Sequence, residues 1–240
     1  TSVGSVEKII NAAKIVKDRQ SKGEQVIVVV SAMSGATNDL IKKSKQISKN
    51  FSDPELDVLM SSGEQISSSL LAGALINLGV QARSWMGWQI PIYTNSNHTN
   101  AQIIQIKIDE ILNFISTGGV AVIPGFQGIS ADNRITTLGR GGSDLSAVAL
   151  AKFFKTDSCE IYTDVDGVLT SDPSINEEAK KIDKISYEEM LEMASLGAKV
   201  MQPISVQASM VNDIPIHVRS IFSKNAGTII TSQNEIDYKN

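Results

Sequence analysis

The sequence predicts an α/β protein, a three-layer α/β/α sandwich built on a mainly parallel sheet. Val26–Val30 and Val120–Ile123 are short, continuously apolar, β-branched runs, the mark of strands buried on both faces. Segments of helical spacing alternate with such runs along most of the chain. Loops rich in glycine and hydroxyl side chains follow several of the strands, where ligands collect in sheets of this kind.

Val6, Ile9, Ile10, Ala13 and Val16 recur at helical spacing, so residues 5–19 form an amphipathic helix that stops near Lys22-Gly23. Val26–Val30 is the first strand. Leu40, Ile41, Ser44 and Ile47 mark a second helix, and Glu64–Leu78 a long third one packed through Ile66, Leu70, Leu71, Ala74, Leu75 and Leu78. VQARSW, VAVIPGF, CEIYT, PIHVRS and GTIIT read as further strands, mostly separated by helical stretches at 103–116, 143–154, 186–195 and 203–211. Met190 and Met193 with Leu191 and Leu196 read as a core face, and SINEEAKKIDK as a solvated connector. No internal repeat or low-complexity linker divides the 240 residues.

A net charge of -4 argues against a polyanion binder, since affinity for a phosphate backbone comes from clustered Lys and Arg. Nucleic acid is therefore not an expected partner, and 5% aromatic residues give no stacking platform for bases. Cys159 is the single cysteine, so neither an internal disulfide nor a thiolate metal site is available, and it reads as a small apolar residue of a buried strand. No signal-like segment and no apolar run near the roughly 20 residues of a membrane helix is present, which implies a cytoplasmic protein with no membrane partner. His98 and His217 lack Cys or local acidic neighbours in sequence and read as surface or packing residues.

The loops carry the chemistry. In TTLGRGGSDLSAVALA, glycines permit positive φ and close approach of a ligand to the main chain. Ser143 or Asp144 reads as a helix N-cap, so backbone N–H groups and the positive end of a helix dipole meet at one point suited to an anion. Arg140 adds a planar cationic fork for a carboxylate or phosphate. SAMSGATNDL offers Ser31, Ser34, Gly35, Thr37 and Asn38 at the next helix start, and PGFQG and TSVGS are further turns of this type. In TDVDG, Asp164 and Asp166 suit a metal, a turn cap or a sugar hydroxyl, but the spacing is not that of an EF-hand. The P-loop, the G-x-G-x-x-G fingerprint and the protein-kinase signatures are missing.

In this order, SAMSGATNDL, LDVLMSSGEQIS, PGFQGI, TTLGRGGSDLSAVALA, IYTDVDGVLTSDP and ISYEEMLEMASLGAKVMQP resemble the catalytic domain of the aspartate kinases, over essentially residues 1–230. The resemblance implies the amino acid kinase fold across residues 1–240, with the amino-acid site mainly in the N-terminal part and the nucleotide site mainly from about residue 151. It implies transfer of the γ-phosphoryl of ATP, with Mg2+, to the side-chain carboxylate of L-aspartate. The product is 4-phospho-L-aspartate, the first step towards lysine, threonine and methionine. A homodimer is also implied. Glutamate 5-kinase and N-acetylglutamate kinase share the fold, and a non-catalytic module binding a nucleotide or amino acid is the alternative from another class.

By the same resemblance, Arg140 corresponds to the clamp on the substrate α-carboxylate, Glu64 to the partner of its α-amino group, and Thr37 and Ser143 to further substrate contacts. Ser31 lies at the turn near the transferred phosphate, Asp144 orients catalytic lysines, and Lys199 is one of those lysines and also a nucleotide contact. Ser2, Gly141, Gly142, Thr163, Asp164, Leu169 and Ser174 match the remaining nucleotide positions. Without such a partner, Glu64 is a capping acid at a helix start. Family members often carry Arg at the position of Ser174. The family's opening Lys-Phe-Gly-Gly-Thr-Ser motif is met by Thr1-Ser2 alone, so upstream residues are expected, and no C-terminal ACT regulatory domain is expected within the chain itself.

Overall fold

The computed structural model describes residues 2–171, 176, 178–198 and 200–236. It divides into two compact units, Thr1–Ala147 and Val148–Asn240. Both are of the α/β type, and parallel pairing prevails, in five of the eight strand ladders among the described residues.

In the first unit, α1 (Val6–Ser21) begins at Ser5, whose hydroxyl accepts the Lys8 N–H at 3.3 Å. β1 (Ile27–Val30), α2 (Ala36–Ile47), α3 (Asp53–Asn77) and β2 (Ala82–Ser84) follow. β3 (Ile92–Thr94), β4 (Ile103–Ile106), α4 (Asp109–Ser116), β5 (Val120–Pro124), β6 (Gln127–Ile129) and β7 (Ile135–Thr137) complete the strands of this unit. They form a parallel sheet in the order β1-β5-β2 and a mixed sheet in the order β4-β3-β6-β7. Every residue of β5 is buried, as its unbroken apolar run requires. Ile9, Ala13 and Val16 of α1 join Leu71, Ala72 and Leu75 of α3 and Val30, Val120 and Val122 in one core cluster. Fully burying Leu71 and Leu75 contributes on the order of 2 kcal/mol each.

α5 (Gly142–Phe154) carries the division between the units. The second unit holds β8 (Cys159–Thr163), β9 (Lys184–Ser186), α6 (Tyr187–Ser195), α7 (Pro203–Asn212), β10 (Ile216–Ser220) and β11 (Thr228–Thr231). Its sheet runs β8-β10-β11-β9, with the β10–β11 pair antiparallel. Ser186 opens α6 with a full capping box to Glu189. Cys159 is buried in β8, as expected of a small apolar strand residue.

Several expectations change. Residues 103–116 are a strand followed by a helix, because Ile103–Ile106 pairs with β3 and the helical spacing begins only at Asp109. α3 starts at Asp53, with Pro54 in its first turn, so it runs well upstream of Glu64. Not every apolar residue of the helical patterns faces inward: Val6, Ile10, Ile66 and Leu70 are exposed, and Leu196, at the end of α6, is 89% exposed and outside the core face that Met190 anchors.

Candidate active site

α3 is where the polar chemistry of the first unit gathers. Asp57, Ser61, Glu64, Ser67 and Ser68 are all buried along it, an unusual load for one helix. Glu64 is 4% exposed. Its Oε1 accepts the Ala32 N–H at 3.1 Å, while Oε2, also buried, has no hydrogen-bond partner among the described residues. Burial pushes its carboxyl up to about 7 against the modest opposing effect of backbone N–H donors. Since Glu64 lies in mid-helix, a capping role at a helix start is ruled out.

Close packing brings Ala32 to this carboxylate. A Cβ on Gly63 would stand 2.9 Å from the Ala32 Cβ, so only glycine lets α3 approach the loop after β1. Gly63→Ala is expected to lower stability by roughly 1–3 kcal/mol, since overpacking outweighs the gain in helix propensity. A urea midpoint equal to or above that of the parent protein contradicts this.

Three loops converge beside this part of α3. β1 and β5 are parallel neighbours, so the loops that follow them start side by side. Ser31, half-buried, precedes Ala32 in the first, and Thr37 lies half-buried in the first turn of α2. That helix begins at Gly35 with φ +78 and has no side-chain cap. The opening turn reaches the same loop, the Ser34 N–H donating to the Gly4 carbonyl at 3.2 Å, and Ser2 is half-buried within that turn. After β5, a Cβ on Gly125 would meet the Ser143 Cα at 2.9 Å and the Val29 side chain at 3.0 Å. Gln127 is buried and donates to the carbonyls of Ser61 and Gly125, and it accepts from Gln65 at 3.2 Å.

The third loop is GRGGSD. Gly139 and Gly141 both have φ +77 and flank Arg140, which is why glycines bracket this arginine. Gly142 is there for a different reason: a Cβ would stand 2.7 Å from the Phe126 ring. α5 starts at Gly142, so Ser143 and Asp144 lie within its first turn and neither is the N-cap. Asp144 is half-buried, and desolvation raises its carboxyl to about 6. Arg140 is exposed, and no hydrogen bond or ion pair among the described residues uses its guanidinium. The unit thus displays a buried carboxylate oxygen and an arginine fork, neither with a partner among the described residues.

In the second unit, Thr163 ends β8 and its hydroxyl is engaged in its own turn with Val165. The Thr163 carbonyl accepts the Ile221 N–H just beyond β10, so the ends of the two parallel strands are joined. Asp164 is exposed and Leu169 half-buried. Asp166 accepts hydrogen bonds from Ser223 at 2.6 Å and Asn225 at 3.1 Å, chiefly the first holding its carboxyl below the usual range. Of the uses open to it from sequence, it takes that of a turn tie. Ser174 and Lys199 lie outside the described residues.

Sequence reading missed Asp57 and its partner His98. His98 Nδ1 is 2.7 Å from the Asp57 carboxylate, so this histidine does have an acidic partner, 41 residues away in sequence. The available signal was the placement of Asp57 two turns before Glu64, on the same face of the helix. No group of three or more His, Cys, Asp and Glu among the described residues is arranged to hold a metal ion. No described helix is long and apolar enough to cross a membrane.

Residues 1–220 match the model of the amino acid kinase family. The chain belongs to the amino acid kinase family. Among amino acid kinases, it is 51% identical over 235 residues to the aspartate kinase of Stutzerimonas stutzeri, the match covering 98% of this chain and 57% of that protein. The chain thus spans little more than half the length of the curated relatives it matches. Its structure is similar to that of the Synechocystis aspartate kinase, with a TM-score of 0.85 and 43% identity over 97% of this chain and 39% of that one. It is also similar to Escherichia coli aspartokinase III in complex with aspartate and ADP, with a TM-score of 0.84 and 27% identity over 98% of this chain and 63% of that one.

Proposed function

We propose that this protein phosphorylates the side-chain carboxylate of L-aspartate with ATP, giving 4-phospho-L-aspartate and ADP. The observation that carries the reading is the pair of opposite, unused charges in one unit: the buried Oε2 of Glu64 and the fork of Arg140. A free amino acid offers an α-ammonium to the first and an α-carboxylate to the second. An N-acetylated substrate has no cation for Glu64, which disfavours an N-acetylglutamate kinase.

The chemistry asks little more of the protein. The aspartate side chain, with an ordinary pKa near 3.9, is already the ionised nucleophile and needs no general base. One of its oxygens forms a bond to the γ-phosphorus as the bond from that phosphorus to the β,γ-bridging oxygen breaks, and ADP leaves. The catalytic demand is alignment and stabilisation of charge on the transferring phosphoryl oxygens. In this reading the glycine turn at Gly141 and Gly142 where α5 starts, the turn at Ser31 and the ammonium of Lys199 meet that charge. Asp144 orients the lysine, Thr37 and Ser143 complete the amino-acid pocket, and Ser2, Thr163, Asp164, Leu169 and Ser174 serve the nucleotide. Mg2+, a hard ion that keeps several of its waters, would enter with the ATP phosphates and help to neutralise their charge.

We assign the amino-acid half to Thr1–Ala147 and the nucleotide half to the residues from about 151. We further propose a cytoplasmic homodimer. Exposed Ile66, Leu70 and Trp88 line a recess of about 510 Å³ that gives a second copy an apolar surface, and light scattering on the complete protein checks its mass.

The deciding experiment is ATP-dependent acyl-phosphate formation by the complete protein, trapped with hydroxylamine, with L-aspartate, L-glutamate and N-acetylglutamate side by side. Product with aspartate alone is expected. ATP binding without product from any of them favours a non-catalytic binding module instead.

A further inference from the structure

Asp57 has no place in the reaction just described, yet it is the most deeply buried charged residue of the first unit, with no exposed surface. Four donor contacts fill its carboxylate. His98 Nδ1 lies at 2.7 Å, the Thr99 N–H reaches both oxygens at 3.1 Å, and the Thr137 hydroxyl donates to Oδ1. The carboxylate only accepts, which fixes the histidine tautomer with the proton on Nδ1. Burial this complete is tolerated because three donors converge on the two carboxylate oxygens.

The donors come from separate pieces of chain. Asp57 is on α3, His98 and Thr99 are on the segment before β4, and Thr137 ends β7. Thr137 is held a second time, its carbonyl accepting the Ala101 N–H at 2.9 Å. Two residues on, Gly139 sits so close to that segment that a Cβ would stand 3.0 Å from Asn100 Oδ1 and 3.2 Å from the Thr99 carbonyl oxygen. Thr99 itself takes φ +64, a conformation costly for a β-branched residue and sustained by its two bonds to Asp57. Arg140 follows Gly139 directly. At its other end, α3 continues from Asp57 for two turns to Glu64.

We infer that Asp57, His98 and Thr137 are positioning residues that set the separation between Glu64 and Arg140, and through it the amino acid accepted. One carboxylate clamps the helix that carries the ammonium partner to the root of the loop that carries the carboxylate partner. In an α-amino acid the two groups stand on a single carbon, so slack of an ångström between Glu64 and Arg140 costs affinity for the amino acid while the nucleotide is untouched. This inference rests on the aspartate reading for its substrate, but the mechanical part stands by itself.

The test uses the complete protein with Thr137→Val, which removes the hydroxyl at constant shape, and Thr137→Ser, which keeps it. His98→Leu and His98→Asn form a second pair, the asparagine retaining a donor near the position of Nδ1. Thr137→Val and His98→Leu are expected to raise KM for aspartate about tenfold, with KM for ATP changed less than about twofold, and the Ser and Asn variants to stay near the parent. Amide hydrogen exchange is expected to speed up at residues 138–142 in Thr137→Val and His98→Leu, with residues 120–124 still protected. Unchanged exchange at 138–142 together with unchanged KM overturns the inference, as does an equal rise in both KM values. If the parent protein makes no acyl phosphate from aspartate, the substrate reading falls, and the exchange experiment still decides whether the clamp exists.

Discussion

Glu64→Gln is expected to reduce kcat/KM for aspartate at least a hundredfold and, at the same time, to flatten the dependence of stability on pH. Both effects follow from the buried carboxyl, which titrates near 7 in the folded chain against an ordinary value of 4.5. Between those values the folded state holds a proton that the unfolded chain has lost. The stabilisation is therefore complete below about 4.5 and disappears as pH rises through about 7, an effect on the order of 3 kcal/mol. Glutamine has no such proton. Urea midpoints measured at pH 5.5 and 8 should fall further in the parent than in the variant, and parallel losses would show that Glu64 is not the group responsible. Bound substrate changes the sign. An ammonium beside Oε2 favours the ionised form, so aspartate binding near pH 6.5 should release a proton, measurable as a dependence of binding heat on buffer ionisation enthalpy. The proton release should vanish in Glu64→Gln.

Arg140→Ala is expected to raise KM for aspartate about thirty- to a hundredfold and to move KM for ATP less than about threefold, the value of a charge-assisted bidentate contact. Arg140 is exposed and unengaged by described residues, so its loss should leave thermal stability nearly unchanged. Arg140→Lys should recover little, because an ammonium cannot reproduce the planar fork. Steady-state kinetics with each substrate varied in turn separates the two effects. Equal loss of aspartate and ATP affinity would mean that the arginine serves the phosphates instead.

The residues that carry the site differ in how plainly sequence announces them. The glycines around Arg140 are legible because a left-handed backbone and a close ring contact both demand them, and both demands are local. β5 is legible because a strand buried on both faces must be apolar throughout. The start of α3 is not, since its first turns read DPELDVLMSSG, with serines and a glycine of modest helix propensity. Those small residues fit a crowded face: Gly63 admits Ala32, and Ser61 is fully buried with its hydroxyl donating back to the Val58 carbonyl. β4 was hidden for a similar reason. The pattern of Ile103, Ile104 and Ile106 fits a helix until β3 supplies the partner that makes it a strand. Asp57 and His98 were invisible as a pair because only the folded chain brings them within 2.7 Å.

The concentration of buried polar groups on α3 has a consequence for how the chain tolerates insertions and deletions. Each residue added between Asp57 and Glu64 would rotate everything beyond it by about 100° and advance it about 1.5 Å. Ser61, Glu64 and Gln65 would then turn away from Gln127 and Ala32 together, while Asp57 stayed with Thr137. The connection from α2 to α3 bears no such phase requirement, and length changes there alter only the entropy of a surface loop, by tenths of a kcal/mol. The helix therefore works as a fixed gauge: length changes are expected to be tolerated in the connection before it and not in the stretch between these two acids.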